Sequence, residues 1–371
     1  MKINIVVIGI LLVILMTACA PSMPNLAAPA TITGGISPLS NLQLGLSFPP
    51  VSNAGQRSFT KEQLDALEVH LIRFAEDWRN REPERGTFIW GPLEERLTWV
   101  RENQISLLLT VQSNGPDWAC DPTRQNERSC VYLDPQEFTN YIHALLRQYS
   151  NQIDKVQFGN EWLSDYWYAG SANDFVQFNN ILFEAVQRYS PQTQVVLGGI
   201  AYGTIEALAF CEGTIDIFHL GQSTEVIEDR DVCATPEVLV ARERMEYVLK
   251  NAQYDMLDLH FYDDVENWPA ILKVVQETYP EARPIIVTEF GGPNLFWEQP
   301  YSDELQAERL AEYIRTLDKM GIPEAYFFKL VQSDSANPAH RESGLFKMVN
   351  GTPSPKPAFD VFQSFSTAVE K

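Results

Sequence analysis

The chain has 371 residues, of which 45% are hydrophobic and 21% charged, and its formal net charge is −21. This composition excludes an intrinsically disordered chain and supplies enough apolar residues for a large core. The acidic balance, with no run of Lys or Arg, argues against nucleic acid as a partner.

The N-terminus has the pattern of an export signal. Lys2 precedes an apolar stretch from Ile3 to Leu15, which is shorter than a membrane-spanning helix. The stretch runs into Leu15-Met16-Thr17-Ala18-Cys19, which resembles the signal of a bacterial lipoprotein, cleaved before a cysteine that receives lipid. Met16 stands where that signal usually has Leu. An ordinary signal peptide with an incidental cysteine is the alternative.

The lipoprotein resemblance implies a division of the chain into three segments. Residues 1–18 would be the signal peptide, Cys19 the lipidated residue, and residues 19–38, rich in Ala, Pro, Thr and Gly, a flexible tether. Residues 39–371 would form a single folded domain. We therefore expect an exported, monomeric protein that is lipid-anchored to the bacterial cell envelope.

Four further cysteines, Cys120, Cys130, Cys211 and Cys233, indicate two disulfides in an exported chain. Three connectivities are possible. The pairing Cys120–Cys130 with Cys211–Cys233 is favoured because each pair falls within one predicted loop. A zinc site is the alternative, but neither pair has the tight C-x-x-C spacing. We predict no metal and no cofactor.

Short apolar segments with little polar alternation predict parallel strands that are covered on both faces. The eight segments are Leu42–Phe48, Val69–Ala75, Ile105–Val111, Lys155–Asn160, Gln194–Gly199, Asp255–Phe261, Pro284–Glu289 and Ala325–Lys329.

Helical patterns fill the gaps between these strands. Asp134, Ser171 and Ser302 are predicted N-caps, each followed by apolar residues at helical spacing. Other predicted helices cover Pro92–Glu102, Pro236–Lys250, Val265–Tyr279 and Pro357–Val369. Alternating strands and helices predict an α/β fold, a single (β/α)8 TIM barrel. A doubly wound sheet is the competitor, but no G-x-G-x-x-G follows any strand.

Two glutamates follow apolar strands and would lie at the carboxyl ends of the fourth and seventh strands. Glu161 ends the segment Val156-Gln157-Phe158-Gly159-Asn160-Glu161, and Glu289 lies in Val287-Thr288-Glu289-Phe290-Gly291. Functional residues gather at this face of a barrel. The Asn160-Glu161 pair and Glu289, in this order and strand context, resemble clan A of the glycoside hydrolases.

The resemblance implies a retaining glycosidase that cleaves β-glycosidic bonds of poly- or oligosaccharides. Glu289 would be the nucleophile and Glu161 the general acid and base, with the carboxyl groups about 5–5.5 Å apart. The alternatives are a non-catalytic glycan-binding lipoprotein on the same scaffold and a two-lobed solute-binding lipoprotein.

Further residues would contact the sugar or the nucleophile. The resemblance implies that Arg73 holds the nucleophile ionised and that Asn160 binds the sugar 2-hydroxyl. It also implies that His260 and Tyr262 line the site. The alternatives are a structural ion pair for Arg73 and a structural role for His260. Flat aromatic rings bind the apolar faces of sugars. We predict Trp162, Trp167 and Trp297 as such platforms.

The sequence departs from the clan in two places. Trp162 follows Asn160-Glu161 where many members have Pro, and the eighth strand, Ala325-Tyr326-Phe327-Phe328-Lys329, lacks the Trp that commonly floors the site. Lys329 is predicted to line the pocket instead.

Overall fold

The computed structural model describes residues 38–219, 224–282, 284–333 and 337–368. Eight parallel strands close into a barrel in which successive barrel strands pair and the first pairs with the last. The strands are β1 (Gln43–Ser47), β2 (Leu71–Glu76), β3 (Ser106–Val111), β4 (Lys155–Phe158), β5 (Gln194–Ile200), β6 (Met256–Tyr262), β7 (Ile285–Gly291) and β8 (Glu324–Phe327).

Helices surround this barrel. They are α1 (Ala54–Ala66), α2 (Trp78–Arg81), α3 (Gly91–Glu102), α4 (Pro135–Tyr149), α5 (Ala172–Tyr189), α6 (Tyr202–Cys211), α7 (Pro236–Asn251), α8 (Trp268–Thr278), α9 (Asp303–Lys319) and α10 (Pro357–Ser366). The single (β/α)8 TIM barrel predicted from the alternating pattern is confirmed.

The barrel closes where β1 pairs in parallel with β8. Gly45 lies opposite Tyr326 on one side and Leu71 on the other. A Cβ atom at Gly45 would lie 2.7 Å from the Tyr326 ring and 2.9 Å from Leu71 Cβ, so only glycine fits at this crossing.

The core has two parts. Inside the barrel, Leu108, Val196 and Ile286 form a small buried cluster, contributed by the alternate strands β3, β5 and β7. A much larger apolar cluster lies between the barrel and its helices. The strands are therefore buried on both faces, which explains their continuous apolar sequence.

The predicted N-caps are confirmed. Asp134 accepts a hydrogen bond from the Gln136 backbone and begins α4, and Ser302 accepts one from Leu305 and begins α9. Ser171 and Asp174 form a reciprocal capping box at the start of α5.

Several boundaries differ from the sequence prediction. The last helix ends at Ser366 rather than Val369, and β8 ends at Phe327 rather than Lys329. Helices α1, α2 and α6 and three two-stranded hairpins in the loops were not predicted. The hairpin strands are too short to leave a periodic signal.

Both predicted disulfides are present. Cys120–Cys130 joins the two strands of a hairpin after β3, and Cys211–Cys233 joins the last residue of α6 to a 3₁₀ turn, Arg230–Ala234, before α7. Disulfide pairing of all four cysteines is incompatible with the zinc alternative.

The signal peptide, Cys19 and nearly all of the predicted tether lie outside the described residues, so these assignments stay predictions. Residues Ile36–Lys371 form one compact unit. Within the described part of the chain, no helix combines the length and apolar character needed to cross a membrane.

Candidate active site

The two glutamates meet at the carboxyl end of the barrel. Glu289 lies within β7, two residues before its end, whereas Glu161 lies three residues beyond the end of β4. Gly159 (φ 71°) and Glu161 (φ 47°) both have left-handed backbone, which turns the chain at this point. A carboxylate oxygen of each glutamate and a ring nitrogen of His260 lie within 4.8 Å of one another.

Arg73, on β2, is fully buried beneath this pair. Its Nη1 lies 2.5 Å from Glu289 Oε1, and its Nη2 donates to Asn160 Oδ1 at 2.8 Å. Its Nε donates to Gln157 Oε1 at 2.8 Å and to Thr110 Oγ1 at 3.0 Å. The guanidinium is therefore fixed in orientation, with its positive charge directed at Glu289.

The other oxygen of Glu289 is held from β6. Tyr262 donates its hydroxyl to Glu289 Oε2 at 2.7 Å. Burial raises the pKa of Tyr262 well above its usual value, and the charge of Glu289 raises it further, so the phenol stays protonated and remains a donor. Glu289 thus has one strong donor on each oxygen.

His260, also on β6, bridges the two glutamates. Its Nδ1 lies 2.9 Å from Glu161 Oε1 and 3.7 Å from Glu289 Oε2. Burial alone would lower the pKa of His260, but the charges of Glu289 and Asp258 and hydrogen bonds to carboxylates outweigh it and raise the pKa to about 10. The imidazole is therefore protonated at neutral pH and donates to Glu161.

Three buried residues support His260 and were missed at the sequence level. Asp258 Oδ2 lies 3.5 Å from His260 Nε2 and accepts hydrogen bonds from Gln157 and Thr288. Asp258, His260 and Tyr262 alternate along β6, so all three point into the barrel. This parity is the sequence signal that could have identified Asp258. Gln157 likewise stands out as a polar residue within an otherwise apolar strand.

The close approach of His260 to β5 also requires a glycine. A Cβ atom at Gly199 would lie 2.1 Å from His260 Nε2. Any larger residue at this position would displace the imidazole from Glu161.

Glu161, His260 and Glu289 form the set of potential metal ligands found among the described residues. A protonated His260 donates rather than ligates, and Arg73 already places a positive charge against Glu289. The donor set therefore does not fit a divalent cation.

The prediction that Trp162 is a sugar platform is wrong. Its side chain is 1% exposed, its Nε1 donates to the Gly198 carbonyl at 2.6 Å, and its ring stacks on Phe175. Because the chain turns at Glu161, the next residue faces the barrel wall instead of the cleft. Trp162 therefore anchors this turn.

The other two predicted platforms remain accessible. Trp167 is half-buried, with the Arg128 guanidinium 4.2 Å from its ring centroid. Trp297 is half-buried and stacks on His219 at a centroid separation of 4.3 Å. Their roles as sugar platforms stay predictions.

Lys329 is half-buried just beyond β8, and its Nζ lies 5.3 Å from the Phe328 ring centroid. Burial lowers the pKa of Lys329, while the charge of Glu289 opposes that shift. Phe328 itself lies edge-on to Tyr262 at 6.2 Å. An aromatic ring therefore does occupy this part of the site, although it is not a tryptophan. Contact of Lys329 with substrate stays a prediction.

The chain is similar to one family model, to a curated protein and to a number of solved structures. Residues 242–356, which include His260, Tyr262 and Glu289, match the family model described as the glycosyl hydrolase catalytic core. A curated transcriptional activator of the dhaKLM operon from Lactococcus lactis is 27% identical over 144 residues, 35% of this chain and 74% of that protein. That match covers about a third of the chain, and we assign no function from it.

Three solved structures show the same fold. A family 39 glycoside hydrolase from Bacteroides cellulosilyticus WH2 is 13% identical with a TM-score of 0.58, over 88% of this chain and 63% of that chain. A glucosidase from Croceicoccus marinus is 14% identical with a TM-score of 0.59, over 89% of this chain and 66% of that chain. Xylanase 10B from Thermotoga petrophila RKU-1, solved with xylobiose, is 14% identical with a TM-score of 0.58, over 87% and 93%.

The alignments thus cover just under two thirds of the first two of these proteins. At such low identity the likeness to these structures establishes the barrel alone. The catalytic-core match covers residues 242–356, just under a third of the chain, so the chain is similar to that family over this segment, and the solved structures establish the (β/α)8 barrel.

Proposed function

We propose that the chain is a retaining β-glycosidase in which Glu289 is the nucleophile and Glu161 the acid and base. The observation that carries this proposal is the separation of the two carboxylates, whose nearest oxygens lie within 4.8 Å. Retention requires about 5–5.5 Å between the carboxyl groups, whereas inversion requires about 6.5–9.5 Å to leave room for a water.

In the first step, a Glu289 oxygen forms a bond to the anomeric carbon while the bond from that carbon to the glycosidic oxygen breaks. Glu161 gives its proton to the departing oxygen. Because Glu161 Oε1 accepts from His260, the proton is carried on Oε2. Arg73 and Tyr262 each donate to one oxygen of Glu289 and so fix the direction of its carboxylate.

In the second step, Glu161 takes a proton from water, and the resulting oxygen attacks the anomeric carbon and releases Glu289. Esterification of Glu289 removes one of the negative charges that raise the pKa of His260. The imidazolium therefore binds its proton less tightly in the intermediate than in the free enzyme, which couples the states of the two glutamates.

The stereochemical course of hydrolysis tests the proposal. Proton NMR during turnover of a β-glycoside should show the β-anomer of the sugar product first, followed by slow mutarotation. The α-anomer appearing first would establish inversion and contradict the assignment of Glu289. Two of the similar structures, the Croceicoccus marinus glucosidase and the Thermotoga petrophila xylanase, suggest a starting panel of β-glucosides and xylo-oligosaccharides.

The non-catalytic alternative is disfavoured by the site itself. A protein that only binds glycans has no use for a nucleophile held by Arg73 and Tyr262, or for a proton donor held by His260. Complete absence of turnover on that panel, with glycan binding by calorimetry, would favour the alternative.

We also propose that the protein is exported, anchored through lipid on Cys19, and monomeric. The signal-like sequence ending at Cys19 and the two disulfides support this, because disulfides persist in oxidising compartments. Mass spectrometry of the mature N-terminus and light scattering of a soluble form test these points. A mature chain that retains residues 1–18 would contradict the anchor.

A further inference from the structure

We infer that the sugar attacked by Glu289 carries an anionic group, a carboxylate or a sulfate, which pairs with Lys329. The substrates are then glycosides of a uronic acid or of a sulfated sugar. This inference rests on the proposed function, since it concerns the sugar whose anomeric carbon reacts.

Lys329 differs from every other Lys or Arg at comparable depth in the described part of the chain. Each of the others that is buried or half-buried there has a carboxylate oxygen 3.4 Å or less from its side-chain nitrogen. Lys329 is half-buried, and none of the ion pairs among the described residues includes it. With 49 acidic against 28 basic residues in the chain, a lysine without an acidic partner does not follow from a shortage of acids.

An ammonium without a counter-ion is costly where water is partly excluded. Burial lowers the pKa of Lys329, which reflects this cost, and the charge of Glu289 opposes the shift. Glu289 is not its ion-pair partner, because the oxygens of that carboxylate accept from Arg73 and Tyr262 instead. An anionic group on a ligand would supply the missing counter-ion.

The ammonium of Lys329 lies beside the nucleophile. Its Nζ is 5.3 Å from the centroid of the Phe328 ring, which lies edge-on to both Tyr262 and Phe48 at 6.2 Å. Tyr262 donates to one oxygen of Glu289, and the Phe48 ring lies 4.8 Å from the guanidinium carbon of the arginine that donates to the other. Phe328 therefore borders the attacking carboxylate, and the ammonium next to its ring is within reach of a substituent on the bound sugar.

A neutral sugar cannot make the same contact. A hydroxymethyl group would leave the charge of Lys329 without a counter-ion while displacing water from it. A carboxylate or sulfate would instead form a charge-assisted hydrogen bond, which is stronger than a bond between neutral groups. The site should therefore select the anionic sugar over its neutral counterpart.

A second role for Lys329 makes a different prediction. If the ammonium served only as a further positive charge beside Glu289, it would affect all substrates alike, because the same carboxylate attacks each of them. Pairing with the sugar affects only substrates that carry the anionic group. Substrates that differ in that group alone separate the two roles.

Paired 4-nitrophenyl β-glycosides measure this preference. Glucuronide against glucoside and galacturonide against galactoside each exchange a carboxylate for a hydroxymethyl group, and a sulfated glucoside tests the sulfate. The wild-type kcat/KM should favour an anionic member over its neutral counterpart by about 100-fold. The anionic member that is preferred tells a uronic acid from a sulfated sugar.

Lys329→Met should remove that preference, and Lys329→Arg, which keeps the charge, should retain most of it. Lys347→Met is the matched control, because Lys347 is also half-buried but pairs with Asp303 at 2.6 Å. It removes the same charge from the chain and should leave the ratio of the two kcat/KM values unchanged.

Hydrolysis of the neutral member of each pair as fast as the anionic one would overturn the inference and leave the proposed function intact. Equal losses on both members in Lys329→Met would do the same. Calorimetry with free glucuronate, galacturonate and glucose sulfate covers the case without turnover. Binding that requires Lys329, without hydrolysis of any glycoside, would support the anion site and contradict the proposed function, whereas absence of both binding and turnover of the anionic sugars would overturn the inference.

Discussion

The two glutamates of the site are held in opposite ways. Glu289 lies inside a strand, and each of its oxygens has a strong donor, Arg73 Nη1 at 2.5 Å and Tyr262 OH at 2.7 Å. Glu161 lies on a left-handed turn beyond a strand, and among the described residues His260 is its one side-chain donor. Its side chain is 14% exposed against 9% for Glu289.

This difference matches the two proposed tasks. A nucleophile has one role, to stay ionised and to attack along one line, so rigid donors favour it. An acid and base must carry a proton in one step and lose it in the next, and a carboxylate with fewer fixed donors can change state at lower cost. Retaining catalysis therefore predicts this difference in hydrogen bonding between the two glutamates, and single substitutions can test it.

The largest effect is expected from Glu289→Ala. Loss of the nucleophile should reduce kcat by about 10⁴-fold or more. Added azide should restore turnover and yield an α-glycosyl azide, because the small anion attacks from the face that the carboxylate occupied. Circular dichroism serves as the folding control.

Glu161→Ala sharpens the comparison. Glycosides with poor leaving groups should lose about 10²–10⁴-fold in kcat/KM, whereas an aryl glycoside with a good leaving group should lose much less in the first step. Azide should here give a β-glycosyl azide, since it attacks the glycosyl-enzyme. The same azide anomer from both variants would break the assignment of distinct roles.

Trp162→Ala tests whether the turn beneath Glu161 depends on packing. Truncating a buried tryptophan typically costs about 3–5 kcal/mol of stability. Because the ring anchors the chain directly after Glu161, the surviving folded protein should also lose more activity on poor leaving groups than on good ones. Urea unfolding and kinetics on the two substrate types measure both effects. Trp297→Ala, at a half-buried position, is the matched control and should change stability little.

Tyr262→Phe removes one donor from Glu289 while leaving Arg73 in place. Loss of one hydrogen bond to a buried charged group costs about 1–3 kcal/mol, so kcat/KM should fall about 10- to 100-fold. The loss should be similar for good and poor leaving groups, because the nucleophile serves both. A loss confined to poor leaving groups would instead place Tyr262 with the acid.

The sequence predicted the barrel well because its strands are continuous apolar runs and its helices have apolar residues at helical spacing. The order of eight apolar segments and the three N-caps each depend on local residues, and all were confirmed. The two disulfides followed from loop position. The short hairpins were missed since pairs of two to six residues have no periodicity to detect.

The sequence predicted which residues meet at the site, but it predicted less well the direction in which their side chains point. Arg73, Asn160, His260, Tyr262 and both glutamates converge as the strand assignment implied. The prediction for Trp162 failed because Glu161 has a left-handed backbone, which turns the next side chain to the opposite side. Nothing in the local sequence requires that backbone conformation. Asp258 was overlooked although it shares its parity with His260.

A further prediction concerns the pH dependence of stability, and it tests the donor on the Glu161 side. The pKa of His260 is raised to about 10 in the folded chain, against an unfolded value near 6.5. Between these values the folded state binds more protons than the unfolded state. The stabilisation from His260 is therefore fully present below about pH 6.5 and is lost as the pH rises through about 10.

His260→Gln removes this contribution while keeping a hydrogen-bond donor. The difference in free energy of unfolding between wild type and variant should be largest at pH 6 and should shrink steadily toward pH 10. Urea titrations at matched pH values measure it, and subtraction cancels the groups common to both proteins. A difference that stays constant over this range would mean that His260 is neutral. In that case the proton shared with Glu161 Oε1 at 2.9 Å would not come from an imidazolium, and the two glutamates would not be coupled through its charge.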